Sequence, residues 1–203
     1  IEVFRMSSRW WLLLLLQACL LVPGTASAVD PCPLLRAQTG AVDFATRVAA
    51  IACDEHQLWY RPFIDADGRV GGSSVREAEV SQLANGEQAW RRVAGYWRGS
   101  GLLAAVAHRS GAAECEYAGM GDAALPACRT FLIDTPWSAA FVSWVVRQAG
   151  VPGFNVSASH VSYVRDAYRQ PEANAYRVVA PEAARPARGD LLCYARSADR
   201  TFG

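Results

Sequence analysis

Ser138 and His160 are the two side chains whose types and order could carry nucleophilic chemistry in this 203-residue chain. A serine hydroxyl attacks an acyl carbon only with a positioned base to take its proton. Three histidines are present, His56, His108 and His160. Ser138 stands in the run Asp134-Thr135-Pro136-Trp137-Ser138-Ala139-Ala140-Phe141, which continues to Gly150. Asp134 or Thr135 suits a cap, Pro136 the first helical position and Gly150 the exit, so the run predicts a helix with Ser138 in its first turn. Ser138, Val142, Val145 and Ala149 share one stripe, which turns Ser138 toward the body of the protein. A helix dipole worth about 1 kcal/mol does little for a hydroxyl, so a base is required. His160 is the best placed, because it opens a second capped segment after residues 157–159, with Tyr163, Val164, Ala167 and Tyr168 on its face.

Other readings of the same residues stay open on the sequence. Small residues at helix starts also serve capping and close packing, and a histidine on an apolar face also serves as a satisfied core or cap group. Asp190 suits a turn, and Cys193, in a strand-like stretch, lacks the helix-end setting that activates a thiol. No Gly-x-Ser-x-Gly elbow occurs, which removes the α/β-hydrolase pattern. All 20 basic residues are arginine. The absence of lysine excludes Schiff-base, pyridoxal-phosphate and phosphate-loop chemistry, and no cofactor is expected. A formal charge of +1 leaves no electrostatic footprint for nucleic acid. His108, Cys115 and Cys128 lack the paired short spacing of a zinc site, and Asp65 to Gly68 fits a tight turn rather than a calcium loop, so no metal is expected.

The chain opens with Met6-Ser7-Ser8-Arg9, an apolar run from Trp10 to Val22 and Ala26-Ser27-Ala28. This is the layout of a signal peptide over residues 1–28 with an Ala-x-Ala exit, followed by one domain over 29–203. The apolar run is too short for a permanent membrane span. The alternative is lipidation at Cys19, which follows Leu16-Gln17-Ala18. Export to the periplasm or medium makes disulfides possible. Cys115 and Cys128 flank a Gly/Ala-rich loop that a bridge would stiffen, and Cys32 and Cys53 could pin the N-terminal arm to the first helix. Cys193 is then left as a buried free thiol.

The positioning elements follow from periodicity. Phe44, Val48, Ile51 and Ala52 predict a first helix within 41–60. Trp90, Val93, Ala94 and Trp97 predict a second, with both indoles in the core and Gly99 and Gly101 as stops. After the 134–150 helix and the His160 helix, ended by Pro171, the period changes. Residues 176–179 and 190–194 read as strands, the second opened by a Gly189-Asp190 turn. Helices first and strands later predict an α+β fold.

The run from Pro136 to Gly150 resembles the nucleophile helix of the NlpC and CHAP cell-wall hydrolases, with Ser138 where those enzymes carry cysteine, and Gly189-Asp190-Leu191-Leu192 is similar to their Gly-Asp-hydrophobic strand. More specifically, Trp90 with Arg92-Val93 and Tyr96-Trp97, the Pro-Trp-Ser-Ala-Ala-Phe helix, His160 with Tyr163, and Gly189 to Cys193 resemble the exported bacterial family known as domain of unknown function 2272. The resemblance implies a papain-like α+β fold with an antiparallel sheet toward the C-terminus. It also implies an exported hydrolase of peptide or amide bonds in the cell wall. Ser138 and His160 would be catalytic, and Trp137, Asp134 and Tyr163 would line the cleft for peptidoglycan fragments. In the papain-like layout the base sits on a later strand, so the C-terminal end is expected to be incomplete beyond Gly203. The alternative is a non-catalytic relative that binds wall peptides or a protein partner.

Overall fold

Helices form where apolar residues recur every third or fourth position, and their ends are set by local chemistry. The computed structural model describes residues 31–193, apart from 66, 68, 73, 74, 77, 78, 122–124 and 181. The expected signal peptide, Cys19 and Tyr194 lie outside the described residues. In chain order the elements are α1 (Cys32–Leu35), α2 (Phe44–Leu58), β1 (Phe63–Ile64), β2 (Val70–Gly71), α3 (Ala89–Ser100), α4 (Pro126–Asp134), α5 (Ser138–Gln148) and α6 (His160–Arg169), with short 3-10 turns between them.

The Asp43 carboxylate caps α2 by accepting the Thr46 N–H at 2.7 Å. Val48 and Ile51 then pack on Val145 of α5 and on Ala149, which caps its end. The Arg47 guanidinium donates to the carbonyls of Ala149 and Ala41, each at 2.7 Å, so α2 holds the C-terminal end of α5. A disulfide from Cys32 to Cys53 ties α1 to α2.

The main core surrounds α3, where Trp90, Val93, Ala94, Tyr96 and Trp97 are at most 1% exposed. Phe131 and Leu132 of α4 and Ala140 of α5 close over it, together with the fully buried Cys115–Cys128 disulfide. Both expected disulfides are thus present, and Trp90 and Trp97 are core residues. Gly101 ends α3 in the left-handed conformation, with φ 78°. Gly99 has a different role from the expected stop. It lies inside α3, where a Cβ would stand 2.6 Å from Cδ1 of Trp144, so glycine permits the close approach of α3 and α5.

The expected papain-like α+β fold is overturned. The described residues are mostly helical, and their extended pairing is the two-residue hairpin β1–β2 plus an isolated bridge between Gln82 and Gln88. No strand forms among the described residues of 176–179 and 190–193, so the C-terminal antiparallel sheet is absent there. The physical reason lies in partners. Val178, Val179 and Leu192 are exposed, with no neighbouring strand among the described residues to receive them, and β-propensity without a partner is weak. The segment docks on α2 as a turn instead. A Cβ at Gly189 would be 2.7 Å from Cα of Ala45, and the Asp190 carboxylate accepts the Ala187 N–H at 2.7 Å. Asp65 does make the expected tight turn, accepting the N–H groups of Asp67 and Arg69 at 2.9 and 2.8 Å. No helix among the described residues is long and apolar enough to cross a membrane.

Candidate functional site

The segment leading to Ser138 is arranged differently from its expected capping. Asp134 is the last residue of α4, Thr135 and Pro136 form a link, and α5 begins at Ser138 itself. The Phe141 N–H reaches the Trp137 carbonyl at 2.9 Å, and no side chain caps the turn. The backbone N–H groups of the first turn therefore have no side-chain cap. Ser138 is exposed, not turned into the body of the protein. Along the stripe, Val142 is half-buried, and only Val145 and Ala149 are buried.

His160 is brought to it by the loop between α5 and α6. Ser143, fully buried on α5, donates its hydroxyl to the Ser157 carbonyl at 3.0 Å and accepts the Ser157 N–H at 3.1 Å. The Ser157 hydroxyl in turn accepts the Ser159 N–H at 3.1 Å. These bonds fix the start of α6, and His160 Nε2 lies 2.8 Å from Ser138 Oγ. The other ring nitrogen, Nδ1, is hydrogen-bonded to the Tyr163 hydroxyl one helical turn on.

Tyr163 is buried and packs against Phe154 with ring centroids 5.3 Å apart. Burial first, and the nearby Cys193 second, push its hydroxyl above the ordinary range, so it is a neutral phenol at physiological pH. It orients the imidazole without supplying a negative charge. Cys193 is free and exposed rather than buried. Its neighbours still desolvate the sulfur enough to raise its pKa, which disfavours a thiolate.

Trp137 adjoins Ser138 and stacks on Trp59 at 5.9 Å and on Tyr96 at 5.7 Å. Beneath it, Tyr96 donates to Glu55, which also pairs with Arg92. Glu55 is 2% exposed. Its charge is tolerated because both carboxylate oxygens have donors. The structure thus brings Ser138, His160 and Tyr163 into one hydrogen-bonded row with Trp137 beside it. Asp134 is exposed and hydrogen-bonds to none of the three. Two surface clefts, one around Gln82, Glu87 and Arg91 and one around Val146 and Phe154, include none of them.

Ser143, Glu55, Trp59 and Tyr96 were not singled out from the sequence as site residues. A signal was there for two of them: Ser143 lies on the buried face of an apolar helix, and Glu55 sits four residues after Ile51 on the buried stripe of α2.

Residues 84–203 match the bacterial family described as uncharacterized protein conserved in bacteria (DUF2272). The chain belongs to the DUF2272 family. No curated protein and no solved structure matches the chain. The likeness to NlpC and CHAP hydrolases therefore has no counterpart in these comparisons. Every member of the Ser138–His160–Tyr163 row falls inside the DUF2272 region, as does Ser143. Glu55 and Trp59, which support Trp137 from below, come from the segment that precedes it.

Proposed function

We propose that this DUF2272 protein is an exported hydrolase of peptide or amide bonds in the bacterial cell wall, with Ser138 as nucleophile and His160 as base. The observation that carries the reading is the 2.8 Å approach of Ser138 Oγ to His160 Nε2, with Nδ1 of the same ring engaged by Tyr163. In the productive tautomer Nδ1–H donates to the Tyr163 oxygen and Nε2 accepts the Ser138 proton. Oγ then attacks the carbonyl carbon, and the backbone N–H groups opening α5 are suited to stabilise the oxyanion. The imidazolium returns its proton to the leaving nitrogen, which departs as an amine. Water, deprotonated by His160, cleaves the acyl-serine to a carboxylic acid. Export is supported by the two disulfides, which form and persist in oxidising compartments.

A second reading has one observation in its favour. A neutral phenol stabilises an imidazolium less than a carboxylate does, which suits a non-catalytic relative that binds wall peptides through the same face. Turnover separates the two. Peptidoglycan fragments are incubated with the native protein, Ser138→Ala and Ser138→Cys, and released amines are scored by mass spectrometry. The hydrolase reading expects turnover lost in the alanine variant and kept or raised in the cysteine variant. Three folded, equally inert proteins that still retain the fragments would establish the binding module.

A further inference from the structure

The chain invests heavily in holding Trp137 still. The indole of Trp59 lies nearly parallel to that of Trp137, at 19°, and the Tyr96 ring does the same at 20°. Trp59 Nε1–H donates to the Tyr96 hydroxyl at 2.8 Å, so the two rings lie side by side and together cover one face of Trp137. Phe141 meets the same ring edge-on at 80°. The Tyr96 hydroxyl donates its own hydrogen bond to Glu55, whose charge is matched by Arg92. Trp137 nonetheless stays half-buried beside the exposed Ser138.

The chain that delivers Trp59 is strained. Tyr60 and Arg61 follow it with φ of 62° and 58°, a left-handed pair without glycine. Such residues cost on the order of 1–3 kcal/mol each and persist only where their surroundings over-determine them. Here the Tyr60 and Arg61 N–H groups reach the Gln57 and His56 carbonyls at 3.1 and 2.8 Å, and the Tyr60 hydroxyl donates to the Gln82 carbonyl at 3.0 Å. A ring needed only as core filling would be fully covered and would require no strained support. A ring presented in a fixed orientation loses little entropy when a ligand stacks on it.

The groups adjacent to Trp137 in the chain define the ligand. Asp134, three residues before it, is an exposed carboxylate that accepts hydrogen bonds, and Ser138, directly after it, is an exposed hydroxyl. An anionic group would be repelled by Asp134, and an aromatic side chain would leave both polar groups unused. A pyranose ring satisfies all three, with its C–H face on the indole and its hydroxyl edge toward Asp134. We infer that Trp137, carried on Trp59 and Tyr96, is the platform of a carbohydrate subsite that stacks a sugar ring of the substrate beside Ser138. The inference deepens the hydrolase reading of this site and rests on it for the position of the scissile bond alone.

The test uses the full chain with His160→Gln, which removes the base and keeps the Ser138 hydroxyl. It is titrated with a neutral β-linked N-acetylhexosamine tetrasaccharide and, separately, with a sugar-free wall tetrapeptide, while indole N–H resonances are followed by NMR. The expected result is a saturable shift of the Trp137 indole with the saccharide, and binding weakened about tenfold when Trp137→Ala is added. Asp134→Ala, a surface change that leaves the core intact, is expected to weaken saccharide binding about threefold or more. A Trp137 indole unmoved by the saccharide, or equal affinity in the Asp134 variant and its parent, would overturn the subsite. Saccharide binding that depends on Trp137 in a protein whose native form releases no amine from peptidoglycan would sink the hydrolase reading and leave the subsite standing. Turnover without saccharide binding would do the reverse.

Discussion

Replacing Ser143 with alanine isolates the tether that delivers His160 to Ser138. The hydroxyl is fully buried and makes two bonds to the Ser157 backbone, one as donor at 3.0 Å and one as acceptor at 3.1 Å. Each bond contributes about 1 kcal/mol net, and leaving Ser157 N–H and C=O without partners adds part of a desolvation cost of about 1–3 kcal/mol. Ser157 is only half-buried, so water recovers some of that cost. The expected loss is about 2–3 kcal/mol, read as a lower urea midpoint with an unchanged m-value. Hydrogen exchange supplies a local readout, since the Ser157 amide should lose protection more than amides in α3 do. The His160 ring resonances should also broaden as the Ser138 contact loosens. A cost below about 0.5 kcal/mol with native protection at Ser157 would refute this, because two part-buried bonds cannot vanish without effect.

Three further outcomes follow from the packing and charge. Glu55→Ala leaves the Arg92 guanidinium and Tyr96 hydroxyl without their acceptor and should cost about 3 kcal/mol by chemical denaturation, with Glu55→Gln costing less. Gly99→Ala, which in an open helix would stabilise by about 1 kcal/mol, should instead lower the thermal midpoint, because its Cβ would meet Trp144 Cδ1 at 2.6 Å. Burial pushes the Tyr96 hydroxyl up to about 12 from an ordinary value of 10.0. The unfolded chain thus releases this proton first, so the stability tied to the neutral phenol is intact below pH 10 and is lost as pH rises toward 12. Spectrophotometric titration should find a late-ionising tyrosine, and Tyr96→Phe should flatten the alkaline decline.

The helices were legible because their periodicity and end signals agree: Gly101 and Gly150 mark exits as their chemistry predicts. The disulfides were legible because Cys115–Cys128 closes a Gly/Ala-rich loop and Cys32–Cys53 pins the N-terminal arm to the first helix. The sheet was misread because a short β-branched run specifies a strand only when a partner strand is present, and Val178, Val179 and Leu192 have none among the described residues. Gly99 was misread for a related reason. Glycine in a helix signals a stop or a close approach, and only the position of Trp144 distinguishes them. At the site, Ser138 and His160 could be named from residue type, but their 2.8 Å separation depends on the Ser143 tether, which no linear pattern announces. The Glu55, Trp59 and Tyr96 support joins α2 to α3 across 37 to 41 residues, a distance over which sequence spacing carries no geometric information.

The central claim is that His160 activates Ser138, and reaction with a fluorophosphonate tests it without knowledge of the substrate. The protein is incubated with the reagent, and labelling is followed by intact mass and located by peptide mapping. The account predicts a single adduct on Ser138, slowed about a hundredfold or more by His160→Gln and by less in Tyr163→Phe, which keeps the base but loses its orienting hydroxyl. A native protein that takes up no label, or one labelled at Ser138 equally fast without His160, would contradict it.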